Sequence, residues 1–150
     1  MTTPEPAVVH PGDAVPILGA MGVRIISSGT GLAVAELPPE PNVNHFGTMY
    51  AGSLFSLAEC LGGVVALATF DLEGELSGFV PLVKEMSIRF RRPALGAVRA
   101  AVSLSQDEVT RIRDESLAHG KAEYRLTTEL TDPAGTVVAT TEGVYQLRRW

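Results

Sequence analysis

The stretch Thr48-Met-Tyr-Ala-Gly-Ser-Leu-Phe-Ser-Leu-Ala-Glu59-Cys-Leu-Gly-Gly-Val-Val-Ala-Leu-Ala-Thr-Phe70 decides the fold of this chain. Its apolar residues lie on several faces of a helix, which predicts a long helix buried at the centre of the molecule. Glu59 is the one formal charge between Glu40 and Asp71. Because a carboxylate is costly to bury unless it is paired, neutralised or useful, Glu59 is the first candidate for chemistry.

Length and composition predict one globular domain. The chain has 150 residues, 45% of them hydrophobic, which is enough for a single sizeable core. Residues 1–12 contain three prolines and no periodicity, so we expect a flexible leader followed by one domain over residues 13–150. The net charge of -5 argues against a general nucleic-acid binder, which needs a basic face.

The run from Thr48 to Phe70 is also long enough to span a bilayer. That alternative would place Glu59 near the bilayer centre, at a cost of roughly 3 kcal/mol. Alternating strands rather than a second span follow it, which favours a buried helix and no membrane partner.

The single cysteine, Cys60, excludes an intramolecular disulfide and fits a reducing compartment. The N-terminus lacks the build of a signal peptide, so we expect a cytoplasmic protein. Three scattered histidines, His10, His45 and His119, do not have the spacing of a metal site, and we expect no metal.

The rest of the chain alternates with period two, which is typical of strands with one buried face. A short helix over Asp13–Met21, interrupted by Pro16, precedes them, and a capping-box pattern at Ser105–Glu108 predicts a second short helix that ends before Gly120. The predicted strands cover residues 23–28, 32–37, 82–91, 98–104, 122–130 and 137–147.

This order predicts an α+β fold in which one antiparallel sheet wraps a single long central helix. Such a sheet has a long unpaired edge that must be covered. We therefore expect a homodimer that pairs sheet edges, or a dimer of such dimers.

Small residues share a stripe of the helix with the carboxylate. Gly52, Ser56, Glu59, Gly63 and Ala66 step by four, three, four and three positions. Such a stripe allows a ligand or a second backbone to come close. One explanation is packing against a partner subunit alone. The other is packing together with a catalytic carboxylate, and in that case Ser56 contacts the substrate.

The segment Asn44-His-Phe-Gly47-Thr-Met-Tyr50-Ala51-Gly52 leads into the helix N-terminus. First-turn amides of a helix lack internal partners and carry a positive partial charge, so they suit an oxygen that acquires negative charge during acyl transfer. Gly47 and Gly52 would let a backbone or a substrate approach closely.

The pattern from Asn44 to Glu59 resembles the signature of hotdog-fold acyl-CoA thioesterases of the phenylacetate-degradation type. That signature is Asn-x-x-Gly-x-x-His-Gly-Gly, with Asp or Glu seven residues later. The segment Ser87-Ile-Arg-Phe-Arg-Arg-Pro-Ala-Leu-Gly96 also resembles the family's strand that ends in proline. The resemblance covers roughly residues 15–148 and implies the hotdog fold.

By this resemblance, Glu59 is the general base on water or the nucleophile on the thioester carbonyl, at a site shared with the other subunit. Asn44 places water or substrate, and the amides of Ala51 and Gly52 are the oxyanion donors. The substrate would be an acyl-CoA or acyl-carrier thioester, with coenzyme A as part of the substrate and no separate cofactor.

The chain departs from the family pattern in three ways. Tyr50-Ala51 replaces His-Gly, so the amide donor is kept while the side chain changes; Tyr50 either hydrogen-bonds the substrate or packs. Val83 stands where relatives often carry Ser or Thr. The Tyr-Ala-Gly variant is closer to the hotdog subfamily of unassigned function than to characterised enzymes.

Several polar residues are further candidates for substrate binding. His45 lies at the loop entrance, where an ordinary loop histidine is the alternative. Lys84 falls on the predicted apolar side of its strand, with Leu82, Met86, Ile88 and Phe90; it either extends its amine to solvent or pairs with Glu59 and lowers the pKa of that carboxyl. The cluster of Lys84, Arg89, Arg91 and Arg92 is either an anion site for coenzyme A phosphates or a solvated edge.

The sequence thus predicts a thioesterase in which Glu59 activates water. One alternative is a non-catalytic acyl-CoA or acyl-thioester binding protein. The other is an enoyl-thioester hydratase or dehydratase, which in this fold favours an Asp–His pair that the helix does not offer.

Overall fold

The structure, a computed structural model, describes residues 11–150. Its elements in chain order are α1 (Pro11–Ala14), α2 (Pro16–Met21), β1 (Arg24–Gly29), β2 (Leu32–Leu37), α3 (Ala51–Thr69), β3 (Phe79–Phe90), β4 (Val98–Ser103), α4 (Gln106–His119), β5 (Lys121–Thr131) and β6 (Val137–Arg149). Residues 1–10 of the predicted leader lie outside the described residues, and its last two residues begin α1.

One six-stranded antiparallel sheet, in the order β1-β2-β4-β5-β6-β3, curls around α3. This is the hotdog fold, and the predicted fold class is confirmed. The face of α3 that meets the sheet is mostly apolar, and Leu57, Leu61 and Val65 are fully buried. The burial of these side chains, at roughly 1.5–3 kcal/mol each, holds α3 in place.

By length and mean hydropathy, 1.7, α3 could cross a bilayer. It is instead the core helix of the fold, with half of its apolar segment buried inside the molecule. The sheet supplies the apolar surroundings that a bilayer would otherwise provide.

The period-two pattern of the C-terminal strands reproduces their burial. Residues alternate between exposed and buried throughout β5, and Tyr124 and Leu130 face the core. The turn between β5 and β6 is closed by the amide of Gly135, which donates to the carbonyl of Asp132 at 3.0 Å, and Gly135 has a positive φ of 82°.

The predicted second short helix is α4. The Ser105 side chain accepts a hydrogen bond from the amide of Glu108, as the capping-box pattern predicts, and Gly120 ends the helix with a left-handed φ of 76°. The helix packs against β5 and buries Val109 and Ile112.

Strand β3 departs from the sequence prediction because it contains a β-bulge between Val83 and Glu85. Val83 is paired with Tyr145 and Met86 with Gly143, so Val83 and Met86 share the face toward α3. The prediction that Leu82 shares this face is therefore wrong. Strand β3 and strand β1 are the two edges of the sheet.

Candidate active site

Glu59 lies at the middle of α3, and two tyrosines fix the helix at this level. The hydroxyl of Tyr145 donates to the main-chain carbonyl of Glu59 at 3.1 Å, and that of Tyr124 donates to the carbonyl of Gly62 at 3.0 Å. Their rings stack, with centroids 5.4 Å apart. The helix is thereby held at a defined distance from β5 and β6, which sets the direction of the Glu59 side chain.

The two consecutive glycines of α3 have different surroundings. A Cβ at Gly62 would lie 1.9 Å from Cε1 of Tyr145, so no side chain fits there. A Cβ at Gly63 would meet no atom within 4 Å. Gly62 thus faces the sheet, whereas Gly63 faces open space on the side of Glu59.

That open space is a cavity of about 780 Å³ along the side of α3 that the sheet leaves uncovered. A volume of this size is typical of small-molecule sites. Most of the surface is apolar, and among residues 11–150 Glu59 is the one charged residue that lines it. The lining comes from α1, α2, β1, α3, β3 and β6, and includes Val15, Ile17, Leu18, Ile25, Ser56, Glu59, Cys60, Gly63, Val64, Leu67, Pro81, Val83 and Tyr145.

Only part of the predicted small-residue stripe lines the cavity. Ser56, Glu59 and Gly63 line it as expected, and the Ser56 hydroxyl donates to the carbonyl of Gly52 at 2.9 Å. Ala66, in contrast, is fully buried in the core and does not reach the cavity. Gly52 lies at the helix start, one turn before Ser56, and is not part of the lining.

Burial raises the pKa of Glu59 above its ordinary value of 4.5. The shift comes from desolvation, because the half-buried carboxyl lies in an apolar wall. Its neighbour Cys60 has a thiol pKa raised to about 12, first by burial and then by the charge of Glu59, so the thiol stays protonated and is a poor nucleophile. Glu59 is therefore the group in this cavity best suited to accept a proton near neutral pH.

The predicted pairing of Lys84 with Glu59 is wrong. The bulge in β3 turns Lys84 to the outer face of the sheet, where its Nζ forms an ion pair with Glu123. This pairing lowers the pKa of Glu123. No cation of the described residues 11–150 offsets the desolvation of Glu59, so the pKa of Glu59 rises instead of falling.

The loop before α3 is held by side-chain hydrogen bonds. Asn44 Oδ1 accepts from the amides of Phe46 and Thr48, at 2.9 and 3.1 Å, and its Nδ2 donates to Thr48 Oγ1 at 3.0 Å. Gly47 has a positive φ of 79°, and its amide donates to the carbonyl of Asn44, so the turn explains this glycine. Asn44 thus shapes the loop and does not line the cavity.

A second asparagine, which the sequence argument did not single out, anchors the same loop. Asn42 is 4% exposed, and its Nδ2 donates to the carbonyls of Met21 and Pro38 at 2.8 and 2.9 Å. Its own carbonyl accepts from the amide of Tyr50 at 2.7 Å. The start of α3 is therefore rigidly placed.

The first turn of α3 presents free donors. The carbonyl of Tyr50 accepts from the amides of Ser53 and Leu54, whereas no acceptor within residues 11–150 takes the amide of Ala51 or Gly52. The Tyr50 ring covers Gly52, since a Cβ there would lie 2.6 Å from Tyr50 Cε1. The amides predicted as oxyanion donors therefore have no hydrogen-bond partner within residues 11–150.

These donors and Glu59 of the same chain are far apart. Seven residues separate Gly52 from Glu59, which is about 10 Å along the helix axis. A carbonyl oxygen held by the first-turn amides would leave its carbon well beyond reach of that carboxylate. One chain therefore contains both halves of the predicted site but does not bring them together.

The other residues predicted to bind substrate lie outside the cavity. His45 is exposed, with its ring 4.0 Å from that of Phe46. Arg89 and Arg91 line a shallow polar groove of about 530 Å³ on the outer face of the sheet, together with Glu129 and Glu142. Arg92 is exposed just after β3. The structure does not bring any of these cations into the cavity with Glu59.

Sequence reasoning missed the roles of Tyr124 and Tyr145, which it placed in strands without noting their hydroxyls. A signal was present: two consecutive glycines in the interior of a helix cost roughly 1 kcal/mol each relative to alanine. Each of these glycines therefore needs an explanation from packing. Tyr145 lies against Gly62, and Gly63 faces the cavity.

A family described as a domain of unknown function (DUF4442) matches residues 11–146. A structure from Pseudomonas aeruginosa, of a protein of unknown function described as a probable thioesterase, is 40% identical with a TM-score of 0.84, over 93% of this chain and 91% of that one. No curated protein matches the sequence significantly.

Two more distant structures show the same fold. A protein of unknown function from Chlorobaculum tepidum is 24% identical with a TM-score of 0.80, over 93% of this chain and 90% of that one. A thioesterase from Haemophilus influenzae is 13% identical with a TM-score of 0.68, over 89% and 82%. At these identities the likeness concerns the architecture alone.

Proposed function

We propose that this chain, which belongs to the DUF4442 family, is a thioesterase that hydrolyses an acyl-CoA or acyl-carrier thioester, with Glu59 as the general base. The observation that carries the proposal is a carboxylate with a raised pKa in the wall of an apolar cavity, where the part of the chain that the structure describes places no other charged residue. The relative from Pseudomonas aeruginosa described as a probable thioesterase supports it.

In the proposed reaction the Glu59 carboxylate takes a proton from water while the water oxygen attacks the thioester carbon. The tetrahedral intermediate carries a negative oxygen. Its collapse breaks the carbon–sulfur bond, and protonated Glu59 returns the proton to the thiolate. The products are the free acid and the thiol, and the enzyme regains its starting state without a metal or a separate cofactor.

The amides of Ala51 and Gly52 from a second copy would hold that negative oxygen. The distance of about 10 Å along α3 argues for this assignment, since a base and an oxyanion site must both lie near one carbonyl group. The proposed active unit is therefore a homodimer with two equivalent sites, each built from Glu59 of one protomer and the helix start of the other.

Two features of the described chain support dimer formation. Strand β3 runs from Phe79 to Phe90 as an edge of the sheet and exposes Val83 and Phe90. The exposed Leu67 on α3 lines the cavity, as do Pro81 and Val83 of this edge strand. Long apolar edges are usually covered, and a second copy would cover both the strand and the side of the cavity.

We assign the phosphates of coenzyme A to Arg89, Arg91 and Arg92, outside the cavity. None of the ion pairs formed among residues 11–150 engages these three guanidinium groups. Guanidinium groups that form no ion pair with a carboxylate can bind phosphate. Tyr50 and His45, which flank the helix start, would contact the pantetheine arm.

Steady-state thiol release from a panel of acyl-CoAs tests the proposal. Wild type should hydrolyse at least one member, and Glu59→Gln should lose turnover while it retains binding of the same compound. Glu73→Gln, at an exposed position beyond α3, is the matched control and should behave as wild type. Absence of hydrolysis by wild type across CoA and carrier-protein thioesters, with binding retained, would instead identify a non-catalytic acyl-thioester binder.

A further inference from the structure

Gly63 is the position in α3 where the wall of the cavity lacks a side chain. Its ideal Cβ meets no atom within 4 Å, while that of the preceding glycine meets Tyr145. Glycine is unfavourable in a helix interior, and the packing that explains Gly62 does not explain Gly63. The open space beside Gly63 is the feature that needs an explanation.

Glu59, Gly63 and Leu67 follow each other at intervals of four residues, so they lie on one face of α3. All three line the cavity. From Glu59 to Leu67 the helix rises about 12 Å. Gly63 therefore lies midway between the carboxylate and the exposed Leu67 on this face of α3, and we call the cavity space along Glu59, Gly63 and Leu67 the passage.

The cavity beside the passage is lined mostly by apolar residues. They include Val64 and Ala68 of α3, Ile25 of β1 and Val83 of β3, and the polar residues Ser27 and Ser28 of β1 also line it. An apolar ligand group suits this lining, since a charge there would be desolvated without a partner. An extended chain covers about 1.2 Å per bond, so about ten bonds span the passage.

We propose that Gly63 is the specificity-determining residue that admits a straight aliphatic acyl chain of about ten carbons, which passes over Gly63 and stops at Leu67. This inference rests on the proposed function, because it takes Glu59 as the point where the thioester carbon lies. A side chain at residue 63 would close the passage and restrict the protein to short acyl groups. Removal of the Leu67 side chain would lengthen the passage.

The test compares straight-chain acyl-CoAs from four to sixteen carbons. For wild type, kcat/KM should rise by about fourfold for each added methylene until about ten carbons and then stay level or fall. In Gly63→Leu the leucine side chain displaces about three methylenes, so the ratio of kcat/KM for the ten-carbon to the four-carbon substrate should fall by about 60-fold. Gly63→Ala should lower this ratio by a smaller factor.

Leu67→Ala is the complementary variant and should move the optimum to longer chains. Leu117→Ala on α4 is the matched control, since Leu117 is similarly exposed and does not line the cavity. Thermal melts establish that each variant is folded. An unchanged length profile in both folded Gly63 variants and in Leu67→Ala would overturn the assignment, even where wild type hydrolyses acyl-CoAs normally.

Calorimetric titration of the same compounds separates this inference from the proposed function. If wild type binds the series without turnover and Gly63→Leu still weakens the longer compounds selectively, hydrolysis is refuted and the role of Gly63 stands. If wild type turns over all lengths with the same profile as Gly63→Leu, hydrolysis stands and the role of Gly63 is refuted.

Discussion

The Tyr145 hydroxyl donates a 3.1 Å hydrogen bond to the main-chain carbonyl of Glu59, so a strand of the sheet holds the helix at the residue that carries the candidate chemistry. The ring of Tyr145 also occupies the space where a side chain of Gly62 would lie. Because Tyr145 and Gly62 are both buried, the position of the Glu59 carboxylate is set by rigid elements rather than by a loop.

The first prediction concerns the two glycines of α3. Gly62→Ala should lower the free energy of unfolding by about 1–3 kcal/mol, because the new methyl group overlaps Tyr145. Gly63→Ala should raise it by about 0.5–1 kcal/mol, because alanine favours the helix and its methyl group meets no atom. Urea unfolding of the two variants measures both changes. If the free energy of unfolding changed in the same direction in both variants, the difference in packing between Gly62 and Gly63 would be contradicted.

The second prediction concerns the pH dependence of hydrolysis. A general base acts in its deprotonated form, and burial raises the pKa of Glu59 above 4.5. The plot of kcat/KM against pH should therefore rise through an apparent pKa above 4.5 and level off at higher pH. An acidic limb at or below the ordinary glutamate value would show that the base is another group.

The third prediction concerns the pH dependence of stability. Since the pKa of Glu59 is raised in the folded state, the folded protein binds this proton more tightly than the unfolded chain does. The resulting stabilisation is present below the unfolded pKa and is lost as the pH rises through the folded pKa. Glu59→Gln lacks this loss, so it should be more stable than wild type at pH 8 by roughly 1 kcal/mol or less, given that Glu59 is only half-buried.

Urea unfolding at pH 4 and pH 8 checks this expectation. The difference between variant and wild type should be larger at pH 8 than at pH 4. A variant that is less stable than wild type at pH 8 would mean that the charged carboxylate has a stabilising partner in the assembled protein.

The fourth prediction concerns Lys84. Its ion pair with Glu123 is half-exposed on the outer face of the sheet, and solvent screens such pairs so that they contribute little to stability. Lys84→Met should therefore leave the urea-unfolding midpoint nearly unchanged and leave the apparent pKa of hydrolysis unchanged. A higher apparent pKa of hydrolysis in Lys84→Met than in wild type would instead indicate that Lys84 pairs with Glu59.

Most of the architecture could be predicted from the sequence, because it follows from the regular spacing of apolar residues along the chain. The alternation in β5 and the capping box at Ser105 are local signals, and the structure follows them. The uninterrupted apolar run of α3 is likewise readable, since a helix that is apolar on several faces is found in a core.

The bulge in β3 could not be predicted in this way. One extra residue at Lys84 changes the face of every residue before it, and the sequence carries no glycine or proline there to mark it. The error placed Lys84 beside Glu59 and Leu82 on the inner face. Period-two alternation assigns side chains to the correct face of a sheet only where the strand contains no bulge.

The site was predictable in part for a similar reason. Glu59 is conspicuous because it is a lone charge in an apolar run, and Ser56 and Gly63 follow from helical spacing. The lining from α1, α2 and β1 depends on how distant segments pack, which spacing within α3 cannot reveal. The phenol anchors from Tyr124 and Tyr145 depend on sheet order for the same reason.

The fifth prediction concerns Ala51, the first residue of α3. Ala51→Pro removes one free amide at a position where proline suits a helix, and Tyr50 already has the extended backbone that a following proline requires, with φ −62° and ψ 134°. The variant should fold with nearly wild-type stability. Its kcat should fall by roughly a hundredfold or more, the cost of one lost oxyanion donor.

Mixing two inactive variants tests the central claim that each site combines Glu59 of one protomer with the α3 start of another. Glu59→Gln and Ala51→Pro are unfolded together, refolded in equal amounts and assayed for thioester hydrolysis. Half of the dimers should then be mixed, each with one intact site of two, so turnover should return to about a quarter of wild type. A mixture as inactive as its two parents would contradict the shared site.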